Sequence, residues 1–211
     1  MNERSLRLQG IAIKLDGRPL LQLDVVIGAG EVLTVMGASG TGKATLLAYI
    51  AGFIEPAFTA SGRIIADGHD VTEMPPERRR IGLLFQDPML FPHLSVAGNL
   101  LFGLPAGATD RRARMDAALA SAGLDGYGRR DPATLSGGEA ARVALLRVLL
   151  SEPCALLLDE PFGKLDQERR VEIREFTFAN IRARGLPTLL VTHDPEDARA
   201  AGGRIVSLDL Q

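Results

Sequence analysis

Around residues 5 to 36 the chain alternates apolar and polar positions in short runs, "LRLQGIAIKL", "LLQLDVVI" and "EVLTVMG". Turn signals at Asp16-Gly17 and Gly28-Ala29-Gly30 separate them, and a period of two broken by glycine turns predicts antiparallel strands. Further on, "SGRIIADGHDVTEM" reads as a hairpin turning at Asp67-Gly68, and "PPERRR" as a short proline-opened helix with its arginines on a solvated face. "IGLLFQDP" predicts a buried strand from Ile81 to Phe85 with Gln86 at its end. From Pro88 to Leu150 the strand patterns stop. Helices are predicted over Ser95 to Leu101, Asp110 to Ala122 and about Gly138 to Leu150, a helical lobe inserted between strands at about 88–150. "CALLLDEP" is a continuous apolar run, the mark of a strand covered on both faces. An amphipathic helix from Asp166 to Arg184, a strand in "TLLVTHDP", a short helix in "EDARAA" and a last strand in "GRIVSLDL" complete the pattern. Such alternation predicts an α/β fold with a parallel sheet.

Composition narrows the class. The 211 residues fit one large domain, and a 46% hydrophobic content supplies a core. No apolar run approaches the roughly 20 residues that span a bilayer, and "MNERSLRLQG" lacks the apolar segment of a signal peptide. Cys154 is the one cysteine, which excludes an internal disulfide and fits a core position in a reducing compartment. A net charge of −2 gives no sign of a general nucleic-acid or membrane-surface binder. His69 and His93 stand alone in loops, and nothing has the spacing of a metal cage.

Against that background one stretch carries chemistry, "VMGASGTGKATLLAYIAG" from Val35 to Gly52. It reads as a strand end, a glycine-rich turn and a helix beginning at Lys43. Gly37, Gly40 and Gly42 let the backbone curl so that its N–H groups share one concavity at a helix N-terminus, where an anion is favoured. Ala38, Ser39 and Thr41 complete the loop, and Lys43 adds a cation suited to the outer phosphates of a nucleoside triphosphate. Only three of the 24 Lys and Arg residues are lysines, so this placement is the less a matter of chance. The position after the lysine holds Ala44 in place of the magnesium-binding hydroxyl, and Thr45 lies one step further round the helix.

Two other places have chemical content. Asp159 and Glu160 end the "ALLLDE" strand, where ligands sit in open parallel sheets. An aspartate there can hold magnesium through water, and a glutamate can polarise an attacking water. A solvated acidic pair is the plain alternative. In "LSGGEAARVALL", Ser136 and Glu139 form a capping box that starts a helix. Gly137 and Gly138 are more glycine than a cap requires, and they leave bare amides at a second helix N-terminus.

Together these residues resemble the ATPase subunit of an ATP-binding cassette transporter. "GASGTGKAT" resembles the family's Walker A loop, "LSGGE" its signature, "LLLDEP" its Walker B strand and "GKLD" its D-loop. Gln86 and His193 resemble its Q-loop glutamine and H-loop histidine. Order and spacing match from about residue 5 to 208, and the six motifs in combination are highly specific. The resemblance implies a P-loop NTPase core, one domain over 1–211, with ATP and Mg²⁺ as ligands. It implies that Lys43 contacts the outer phosphates and Thr45 the inner ones, and that Asp159 and Gln86 flank magnesium. Glu160 and His193 would be the catalytic carboxylate and the γ-phosphate partner.

The resemblance further implies a head-to-tail homodimer closed over two ATP molecules. Ser136, Gly137 and Gly138 would then cap the nucleotide of the other copy, with Asp166 joining the sites. It implies transmembrane permease subunits, reached through the apolar segment "DPMLFPHLSVAGNLLFGL", and a solute-binding protein. The place of work would be peripheral, on the cytoplasmic side of the inner membrane, with no nucleic-acid partner. "LFPHLSV" resembles the importers of thiamine, ferric iron, sulfate or polyamines. Three departures stand out: Ala44, Glu139-Ala140 in place of Gln-Arg, and no aromatic residue before Lys43. The third leaves aliphatic packing where an adenine-stacking ring is expected near Ile13 to Leu15. Two alternatives remain beside an importer ATPase: a hydrolysis-impaired nucleotide switch, and a soluble cassette ATPase outside transport.

Overall fold

The computed structural model describes residues 4–38 and 40–208. Strands β1 (Leu6–Leu15) and β2 (Arg18–Ile27) pair as an antiparallel hairpin, and β4 (Phe58–Ala66) runs antiparallel along the other side of β1. The two-residue β5 (His69–Asp70) closes this four-stranded sheet, ordered β2-β1-β4-β5. Inward positions such as Leu6, Leu8, Ile11, Ile13 and Ile64 are fully buried, as a half-buried sheet requires.

β3 (Val32–Gly37) departs from the expected antiparallel set. It lies in a second, parallel sheet with β6 (Ile81–Leu84), β7 (Ala155–Asp159), β8 (Thr188–Val191) and β9 (Ile205–Leu208), ordered β6-β7-β8-β3-β9. Val32, Leu33, Thr34 and Val35 are all buried, so what reads as alternation through Thr34 is a strand covered on both faces. β7 shows the same arrangement. Leu157 packs towards the antiparallel sheet and helix α1 (Lys43–Ala51), while Leu156 and Leu158 pack on the other face. That second face is covered by α4 (Gly137–Leu150), α5 (Gln167–Arg184) and α6 (Pro195–Ala201).

Between β6 and β7 the chain carries α2 (Val96–Gly103), α3 (Arg111–Ser121) and α4, around a separate core of Val96, Leu100, Met115, Leu119, Val143 and Leu146. Ser95 caps α2 by accepting from Gly98 N, so this helix begins where expected. Among the described residues no helix is long and apolar enough to cross a membrane.

Two local expectations fail. The "PPERRR" segment is a single 3-10 turn at Pro76–Arg78, and Arg79 is buried rather than solvated. Its guanidinium donates to the carbonyls of Tyr49, Ile50, Thr72 and Met74, which ties the end of α1 to the hairpin. Phe85 lies past the end of β6 and is 41% exposed, so the buried strand is one residue shorter than its apolar run.

Candidate functional site

The carboxyl ends of β3, β7 and β8 meet the N-terminus of α1 at a cavity of about 700 Å³. Its floor is the loop between β3 and α1. Gly40 and Gly42 have φ of 85° and 86°, a left-handed conformation that glycine adopts without strain. Gly37 is required for another reason: a Cβ there would lie 2.6 Å from the Leu208 carbonyl. Thr41 is buried beneath the loop and donates to the Ala38 carbonyl at 2.9 Å. Lys43 Nζ donates to the carbonyls of Gly37 and Ala38, each at 2.7 Å. An ammonium has three donors, so the same group that braces the loop retains one for an anion.

Gly37, Ala38, Gly40, Gly42, Lys43, Ala44 and Thr45 line the cavity, and Asp159, Glu160 and His193 face them. Ser39 lies outside the described residues. Asp159 and Glu160 are half-buried, not solvated. Burial, with the charge of Glu160 added, raises the pKa of Asp159, and Lys43 opposes the rise. Glu160 has a φ of 45°, uncommon for a residue with a side chain and an arrangement that clusters at functional sites. Its Oε1 lies 3.0 Å from His193 Nδ1.

His193 is itself exposed, yet its neighbours are pinned. Thr192 donates to Asp197 at 2.8 Å, and Arg174 donates to both Asp197 and Asp194. Arg170 donates to Asp194 at 2.9 Å and also to the carbonyls of Gly163 and Leu165. Burial pushes the pKa of Asp194 up, but the Glu196 amide and the two arginines outweigh it and the net shift is downward. This buried ion network was not foreseen. Its arginines lie on α5, which the sequence marks only as amphipathic.

The other expected site residues lie elsewhere. Gln86 is exposed and does not line the cavity. Its amide lies against Gly163, and the adjacent Asp87 pairs with Lys164. Ser136 caps α4 in a complete box: its N–H donates to Glu139 at 2.7 Å, and its hydroxyl accepts from Glu139 N at 3.4 Å. Neither it nor Gly137, Gly138 or Asp166 reaches the cavity of its own chain. Asp166 caps α5 by accepting from Arg169 N at 3.0 Å. The aliphatic packing expected near Ile13 to Leu15 is present as Leu15, and it is joined by two residues that were not foreseen, Leu20 and Phe58.

The arrangement suits a phosphate chain with a cation. Magnesium keeps several waters and takes one or two carboxylates plus substrate phosphates. Asp159 beside the phosphate cradle fits that habit, although Ala44 contributes no donor. No cluster of three or more His, Cys, Asp or Glu side chains with metal-binding geometry occurs among the described residues.

A fold of this kind with this loop defines a nucleotide-dependent ATPase of the P-loop class. Comparison with known proteins places it further, since the ABC transporter family matches residues 20–163. The chain is 41% identical over 198 residues to an uncharacterised ABC transporter ATP-binding protein, YnjD, of Escherichia coli K12, covering 92% of this chain and 91% of that one. It is 42% identical to the thiamine import ATP-binding protein ThiQ of Mesorhizobium japonicum, covering 97% and 83%. With the Fe(3+) ions import ATP-binding protein FbpC of Streptomyces coelicolor it shares 43% identity, over 95% of this chain and 58% of that one. The chain belongs to the ABC transporter family and is an ATP-binding and ATP-hydrolysing subunit of a membrane transporter.

Proposed function

We propose that this subunit, as one ATPase domain with a helical subdomain at about 88–150, hydrolyses ATP with Mg²⁺ to drive import of a small solute. The observation that carries this reading is the meeting of the loop amides, Lys43, Asp159, Glu160 and His193 in one cavity. Lys43 and the amides of the loop bind the outer phosphates, and Thr45 binds the inner ones. Glu160 orients and polarises the attacking water, and His193 holds both Glu160 and the γ-phosphate. Asp159 holds the metal, with Gln86 joining it after turning away from Gly163. When bound, Mg²⁺ neutralises charge on the β- and γ-phosphates.

Ser136 caps its own helix, but it, Gly137 and Gly138 all lie away from the cavity of their own chain, which supports a head-to-tail dimer in which they cap the partner's nucleotide. Asp166 lies beside that joint. Exposed apolar side chains at Phe53, Phe85, Met89 and Phe102 suit a permease contact, which agrees with a subunit that works at the cytoplasmic face of the membrane. Relatives named for the import of thiamine and of Fe(3+) ions favour import, with a solute-binding protein completing the complex.

Steady-state hydrolysis against magnesium concentration tests this in the assembled transporter. Glu160→Gln is expected to retain ATP binding and lose hydrolysis by about a hundredfold or more. Ala44→Ser is expected to lower the magnesium needed for half-maximal rate. A full rate in Glu160→Gln would remove that residue from the chemistry, and an unchanged magnesium requirement in Ala44→Ser would remove position 44 from the metal site.

A further inference from the structure

The cavity has two unlike ends. One is the charged cradle for phosphates. The other is an apolar wall made by Leu15 at the end of β1, Leu20 on β2 and Phe58 at the start of β4. Leu20 lies directly over the loop, since a Cβ at Gly42 would come within 2.8 Å of its Cδ2. Phe58 is the cross-strand partner of Leu15, and its N–H donates to the Glu55 carbonyl at 3.0 Å, which fixes where β4 begins. Its half-buried ring packs against the core and lines both this cavity and a neighbouring one of about 330 Å³. Among the described residues that line the phosphate cavity it carries the one phenyl ring, the imidazole of His193 lying with Glu160 at the charged end.

We infer that Phe58 supplies the face on which the adenine base stacks, with Leu15 and Leu20 as aliphatic neighbours. This rests on the reading that the cavity binds ATP. Every nucleobase offers a π-face, and an aromatic ring beside a phosphate site is the usual means of holding it. The hairpin that lacks a ring of its own receives one from the strand paired with it. An antiparallel pair sets directly opposite side chains about 5 Å apart, so a ring on β4 reaches the same space as a ring at the end of β1.

The experiment uses the intact chain and two probes, ATP and inorganic tripolyphosphate. Phe58→Ala is expected to weaken ATP binding about tenfold and to leave tripolyphosphate binding within twofold of the parent. The chain contains no tryptophan, so Phe58→Trp introduces a single one. Its emission is expected to be quenched by ATP and not by tripolyphosphate. Equal weakening for both probes in Phe58→Ala would make the ring a structural support, and unchanged ATP binding would remove it from the site. Tryptophan emission blind to ATP would likewise overturn the inference. A parent chain that bound ATP no more tightly than tripolyphosphate would overturn the nucleotide reading beneath it.

Discussion

Helices α1 and α4 both carry glycine at their start, as the cap of α1 and as the first two residues of α4, and their N-termini are finished in opposite ways. α1 starts from Gly42, with no side-chain cap and no acidic residue in its first turn. α4 starts from Ser136 with both halves of a capping box made and Glu139 in its first turn. The first end keeps its amides and its dipole for a ligand, and Lys43 adds to the positive field. The second end satisfies part of itself and places a carboxylate beside its remaining amides, those of Gly137 and Gly138. The field at α1 therefore favours an anion more than the field at α4 does. A helix end of the second kind is suited to closing over an anion that another surface already holds.

Removing the cation from α1 should have the largest effect. Lys43→Ala is expected to weaken ATP binding by roughly two orders of magnitude, as truncating one partner of a buried charge pair does. Equilibrium titration with ATP checks it, and a loss under fivefold would mean the loop amides suffice alone. Next in size is Gly42→Ala, which acts through the backbone. The left-handed φ of 86° costs a residue with Cβ about 1–2 kcal/mol, and that Cβ would press on Leu20 and Leu21. A fall in melting temperature of about 2–8 °C is expected for a chain of this size. An unchanged melting temperature would show that the loop can relax without its glycine.

The α1 end was legible in the sequence because all of it is local. Three glycines and a lysine within seven positions set the loop, and the strand end at Val35 sets where it starts. The capping box at Ser136 was legible for the same reason. What escaped reading depends on contacts between residues distant in sequence. Phe58 reaches the cavity through the pairing of β4 with β1. Arg79 is buried because carbonyls from Tyr49 to Met74 converge on its guanidinium. β3 joins β8 and β9, whose sequences lie more than 150 residues away. Gln86 lies two residues past the end of β6, one further than expected, and its amide turns to Gly163, a contact that no local pattern announces.

At α4 the expected effects are smaller. Ser136→Ala should cost about 1 kcal/mol of stability through loss of the cap, or roughly 2–4 °C in melting temperature. ATP binding to the isolated subunit should stay unchanged, because Ser136 is remote from the cavity of its own chain. Weaker binding to the monomer would place this helix end at the site in cis and erase the contrast with α1.

The smallest effect, and the sharpest test of the contrast, belongs to Glu139→Gln. The Ser136 amide and the Tyr127 hydroxyl, both donating to Glu139, hold its carboxyl below the usual range. A lowered folded pKa means that the ionised group stabilises the fold. That contribution is complete above the ordinary glutamate pKa of about 4.3 and is lost as pH falls through the lower folded value. Glutamine keeps one oxygen to accept from the Ser136 amide and turns an NH2 towards the Tyr127 hydroxyl, which must then accept, so the shape is kept without the charge and unfolding on acidification should be less steep in the variant. The same neutralisation should favour an anion at Gly137 and Gly138 by about 0.3–1 kcal/mol. ATP-dependent dimerisation should then need about two- to fivefold less ATP. If neither the acid limb nor the ATP requirement moves, charge at this end is screened, and the two helix ends differ only in which groups happen to surround them.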